Sequence, residues 1–89
     1  MYDYEIRPSL QKILKKLFKK DNQTRERVIK KIEEIINSNS VEHYKNLRHN
    51  LKIFKRVQIG EKVLIFSFNK KSNLLVFEDF AHHDKIYLK

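Results

Sequence analysis

The sequence predicts an α+β fold in two layers, β-α-α-β-β-β, with an N-terminal helical hairpin packed on an antiparallel sheet. Three observations predict it. Two stretches in the first half repeat apolar residues at helical spacing, three stretches in the second half read as short strands, and the only glycine lies between the first two of those strands. The whole chain, 1–89, is expected to form one domain, since a chain of this length supports a single modest core.

The elements follow in order. Tyr2 to Arg7 alternates enough for a short strand, and Pro8 stops it, because proline has no N–H to give to a ladder. Ser9 then suits a helix N-cap. Leu10, Ile13, Leu14, Leu17 and Phe18 fall on one stripe of a helix whose wet side carries Lys12, Lys15, Lys16, Lys19 and Lys20. Asp21-Asn22 interrupts it. A second helix repeats the pattern with Val28, Ile29, Ile32, Ile35 and Ile36 and ends in Asn37-Ser38-Asn39-Ser40. Two amphipathic helices must cover something, and the three strands supply an apolar face.

Those strands are Ile53 to Ile59, Lys62 to Phe68, and Leu74 to Phe80, the last running into Ala81-His82-His83-Asp84-Lys85-Ile86-Tyr87. Gly60-Glu61 is a two-residue turn in which glycine takes positive φ without strain. Asn69 to Ser72, with Asn73, is a longer polar connection, so the three strands form an antiparallel meander. The N-terminal strand should join an edge of that sheet. The segments 37–41 and 46–50 read as loops.

Composition bounds the function. Lysine and arginine total 20 against 11 acids, a formal charge of +9. The excess is not confined to a tail: residues 1–40 hold ten bases and six acids, and residues 41–89 hold ten and five. Such a chain attracts phosphate backbones or an acidic protein. Cysteine is absent, which excludes disulfides and thiolate chemistry. No apolar run approaches the roughly 20 residues that span a bilayer, and the start is not signal-like, so a cytoplasmic protein with no membrane partner is expected.

Between His43 and Gly60 there is no carboxylate, yet the segment holds Lys45, Arg48, Lys52, Lys55 and Arg56, with His43, His49, Tyr44 and Phe54 among them. Cations neutralise phosphates and flat rings stack on unpaired bases, so this is a candidate RNA-binding surface. A solvated loop leading into a strand with a basic outer face is the other reading. Asp79, His82, His83 and Asp84 fit no metal-ligand spacing, and no cofactor or metal is expected. Phosphate loops and hydrolase serine contexts are absent too.

The order of elements, Leu47-Arg48 before the meander, the strand and turn Arg56-Val57-Gln58-Ile59-Gly60-Glu61, and the ending Ala81-His82-His83-Asp84-Lys85-Ile86-Tyr87 together resemble the RelE/ParE family of toxins from type II toxin-antitoxin systems. The resemblance spans nearly the whole chain. It implies a RelE-like toxin that cuts messenger RNA in the ribosomal A site without a metal and is neutralised by an acidic, RelB-like antitoxin in a heterodimer or heterotetramer. ParE-like relatives instead inhibit DNA gyrase. A non-catalytic basic RNA-binding module is a further alternative.

On that resemblance, the basic residues before the turn are Arg56 and Lys55. The family's basic residue after the turn falls at Val63, with Lys62 one position earlier. One residue of offset turns a strand side chain to the other face, so Lys62 substitutes only if the register shifts. The closing motif Gly-His-Arg-x-x-Val-Tyr reads Ala81-His82-His83-x-x-Ile86-Tyr87, with His83 in place of arginine. Metal-free RNA cleavage needs a base for the ribose 2′-OH, cations for the charge on phosphorus, and an acid for the departing 5′ oxygen. The expected catalytic set is Arg56, His83, Tyr87, His82 and Lys62. Histidine, with an ordinary pKa of about 6.5, suits either proton role, whereas a tyrosine at about 10 needs nearby cations to act as a base.

Overall fold

The computed structural model describes residues 2–47 and 53–88, with the backbone alone for 86–88. Among the described residues the order is β1 (Asp3–Ile6), α1 (Pro8–Lys20), α2 (Asn22–Ile36), a single 3-10 turn (Val41–His43), β2 (Phe54–Ile59), β3 (Lys62–Asn69), β4 (Leu74–His82) and α3 (His83–Leu88). The strands lie in the order β1-β4-β3-β2. The meander is antiparallel throughout, and β1 joins the edge beside β4. It does so in parallel, because the α1–α2 hairpin and β2 intervene before β4; the sheet is therefore mixed.

The helical pair covers one face. Leu10, Val28, Ile32, Ile35 and Ile36 pack with Ile59, Leu64, Phe66, Leu75, Phe77 and Phe80, and Ile13, Leu14 and Leu17 lie against the edge of this core. Phe18, expected in the stripe, is instead 61% exposed, and the Arg25 guanidinium stands 5.3 Å from its ring centre. Eight residues beyond Leu10, it lies about 80° from that residue around the helix axis. That places it at the margin of the buried stripe.

Two boundaries differ from expectation. α1 begins at Pro8, one residue before Ser9, because a proline at the first helical position has the right φ and no N–H to satisfy. Ser9 is not a cap; its hydroxyl donates to the Glu78 carbonyl at 2.9 Å and ties α1 to β4. At the other end, the strand stops at His82 and α3 begins at His83.

Asp21 makes the tight joint between α1 and α2. Its carboxylate accepts from the Thr24 hydroxyl at 2.6 Å and from the Thr24 amide at 3.2 Å. These bonds, with smaller help from Lys62 and Arg27, hold its pKa below the ordinary 3.8. At the β2–β3 turn Gly60 has φ +63°, the left-handed region. No described helix is long and apolar enough to cross a membrane.

Two predictions follow from the packing. Leu10→Ala, at a fully buried position, should lower the free energy of unfolding by about 2–5 kcal/mol, whereas Phe18→Ala should change it by no more than about 0.5 kcal/mol; urea titration measures both. Asp21→Ala should lower Tm at pH 7. A carboxylate whose pKa is depressed in the folded state stabilises fully above its unfolded value and loses that contribution as pH falls through the folded one. The Tm gap to the wild type should therefore close progressively below pH 3.8.

Candidate functional site

The register of the meander decides which predicted residues can meet. Arg56 pairs with Ile65, and Ile65 with Asp79, so these three form a row across β2, β3 and β4. Gln58, Val63 and Ala81 form the next row on the same face. This is the face away from the helical pair. It carries a second, smaller cluster of Leu47, Val63 and Ile65, with Phe54 and Ala81 packed against it. Arg56 is half-buried beside these apolar groups and, among the described residues, is in no ion pair.

Lys62 is on the other face. It pairs with Ile59 and His82, and the β2–β3 register runs unshifted from Phe54 to Lys62, so the shift that would bring Lys62 beside Arg56 does not occur. Its ammonium stands 5.7 Å from the Phe80 ring centre, over the helix-side core, and its charge reaches Asp21 at the α1–α2 joint. His82, directly across from Lys62, shares that side. His83 is the first residue of α3, two positions after Ala81, and its Nδ1 lies 3.8 Å from Asp84 Oδ1. Tyr87 lies on α3, with its side chain outside the described residues. Arg48 and Lys52 also lie outside them. Arg56 and His83 thus leave the sheet separately from the Lys62 and His82 pair.

The segment before β2 is held against it rather than free. Lys45 and Asn46 run along the β2 edge, where the Arg56 amide donates to the Lys45 carbonyl at 2.9 Å and the Leu47 amide to the Phe54 carbonyl at 2.8 Å. Lys55 serves this arrangement: its ammonium donates to the Tyr44 carbonyl at 3.1 Å and to Asn46 Oδ1 at 3.3 Å. Lys45 remains exposed. Tyr44 packs edge-on to Phe66 and stacks on His43. Burial, with Glu34 nearby, pushes its phenol pKa up, which keeps it protonated at neutral pH.

Asp79 is the site residue that reasoning from spacing alone did not place. A bulge opposite Ile65 and Phe66 leaves Glu78 as the extra residue, so Asp79 rejoins the Arg56 face and its Oδ1 accepts from the Phe80 amide at 2.8 Å. The alternation of β4 up to Ala81 carries that signal; the bulge does not show in it. Among the described residues, no group of three His, Cys, Asp or Glu side chains could hold a metal ion.

With this geometry in hand, the chain can be set beside known proteins. No family model matches it. It is 49% identical over 90 residues to a protein of Methanocaldococcus jannaschii named "Putative toxin RelE4", covering 100% of this chain and 94% of the relative. The chain belongs to the RelE toxin family. An uncharacterized protein of Methanosarcina mazei is 39% identical over 88 residues, with 98% and 100% covered. Among solved structures, the toxin-antitoxin complex RelBE2 of Mycobacterium tuberculosis matches with TM-score 0.74 at 16% identity, covering 92% of this chain and 91% of that one. The isolated RelE toxin of E. coli matches with TM-score 0.73 at 15% identity, covering 99% and 93%. These two share the fold of this RelE toxin, including the helical pair on a four-stranded sheet.

The tie at Lys55 yields a prediction. Lys55→Met keeps the aliphatic stem and removes the ammonium, so amide exchange at Arg56 and Leu47 should speed up by roughly tenfold, the worth of one net hydrogen bond. The Leu64 amide should not change. NMR-detected hydrogen exchange measures both.

Proposed function

We propose that this RelE toxin is an mRNA endonuclease that works with the ribosome, cutting the message in the A site by a metal-independent reaction. The observation that carries the reading is Arg56, a half-buried guanidinium beside apolar groups with no acid paired to it among the described residues. A desolvated cation is costly without an anion, and a scissile phosphate is the anion this family handles. The 2′-oxygen attacks phosphorus, the bond to the 5′ oxygen breaks, and Arg56 stabilises the added charge on the phosphoryl oxygens. His83 and Tyr87 are the groups assigned to proton transfer, one taking the 2′-OH proton and the other supplying the leaving oxygen. Lys62 and His82, on the opposite face, are outside this set. Lys45, Arg48 and Lys52 flank it and neutralise neighbouring phosphates.

The partner we propose is an acidic antitoxin, in keeping with the RelBE2 complex whose toxin shares this fold. A chain of +9 favours a partner that presents carboxylates. The site of action is the cytoplasm, where ribosomes are.

The test is cleavage of message on purified, programmed ribosomes together with growth on induction. Wild type should cut the message and arrest growth. His83→Ala and Tyr87→Phe should each slow cleavage by about a hundredfold or more and relieve the arrest. Intact message, with both variants still arresting growth, would overturn the reading; inhibited supercoiling under those conditions would move the chain to the gyrase-directed alternative.

A further inference from the structure

We propose that the outer face of α1 is a second polyanion-binding surface, which holds the phosphate backbone of base-paired RNA and lies on the opposite side of the molecule from Arg56. α1 contains five lysines and no acid. Lys12, Lys15, Lys16, Lys19 and Lys20 are all exposed, and none is in an ion pair or hydrogen bond among the described residues. Four of them, Lys12, Lys15, Lys16 and Lys19, line one shallow groove of about 300 Å³. Successive members are spaced i, i+3 and i, i+4, so like charges stand one helical turn apart along the ridge. That arrangement works against the helix, which is held by its buried stripe instead. A bound polyanion removes the conflict.

The chemistry of the ridge selects the occupant. It offers ammonium groups over their own methylene stems and no apolar anchor of the kind an amphipathic peptide helix seats itself on. A lipid surface requires an apolar helix face to insert, and the apolar face of α1 is already packed in the core, with Leu10 fully buried. Unpaired bases require open ring faces, and the one ring beside the ridge, Phe18, has the Arg25 guanidinium over it. What remains is a phosphate backbone read without regard to sequence, for which point charges on flexible stems suffice.

The surface lies across the sheet from Arg56, so the two can be separated by experiment. The probe is a blunt RNA duplex of about 16 base pairs, titrated across a range of salt with no ribosome and no message present. The full-length quadruple variant Lys12→Gln, Lys15→Gln, Lys16→Gln, Lys19→Gln should bind at least tenfold more weakly at 0.1 M salt. Its slope of log affinity against log salt should shrink by about two to four, given about 0.9 per neutralised phosphate. Tm should stay the same or rise, since repulsion is relieved. Arg56→Ala should bind the duplex as wild type does. An unchanged slope and affinity in the quadruple variant, or a loss that appears only in Arg56→Ala, would overturn the proposal. A wild type that binds the duplex through α1 but leaves ribosome-bound message intact would sink the cleavage reading alone.

Discussion

The alternation of side chains along β3 is the constraint on which the molecule depends. Val63, Leu64, Ile65 and Phe66 are all buried, so this strand is clasped on both sides. Leu64 and Phe66 belong to the core under the helices, and Val63 and Ile65 to the smaller cluster with Leu47. A slip of one residue would exchange the two sets, placing Lys62, Leu64 and Phe66 where Val63 and Ile65 now pack. Burial on both faces therefore fixes the register more firmly than one buried face could. Every other placement follows from it, including which cations share a side.

That division organises the chemistry. The helix-side face spends its side chains on stability: Lys62 over Phe80 and within reach of Asp21, and Lys55 tied to Tyr44 and Asn46. The other face keeps a half-buried Arg56 in a row with Ile65 and Asp79, and it is there that a phosphate finds an unpaired guanidinium. A basic chain is not uniformly a binding surface. Here some of its cations are structural, some face the proposed site, and five project from α1 on the far side.

Much of this was legible in the residues themselves. Helical spacing located α1 and α2, Gly60 located the first hairpin, and polar residues after Phe68 located the second. The family resemblance rested on the order of elements and on the ending from Ala81 to Tyr87, and identity to a named relative supports it. Less legible were features set by tertiary contact. Ser9 has the chemistry of a cap, but Pro8 opens the helix and Ser9 bonds to β4. Adjacent histidines on a strand would diverge, yet the strand ends between them. The bulge at Glu78 has no local sequence mark, and it sets the face of Asp79. Lys55 and Arg56 look equivalent in sequence. Only the pairing with β3 shows that one braces the segment before β2 and the other faces the proposed site.

The most direct measurement compares single-turnover cleavage of ribosome-bound message by Arg56→Ala and Lys62→Ala, both checked for an unchanged fold. Loss of transition-state charge stabilisation should slow Arg56→Ala by about a hundredfold or more, with Lys62→Ala within a few-fold of wild type. Equal losses, or a larger loss at Lys62, would contradict the assignment of the reacting phosphate to the face that carries Arg56.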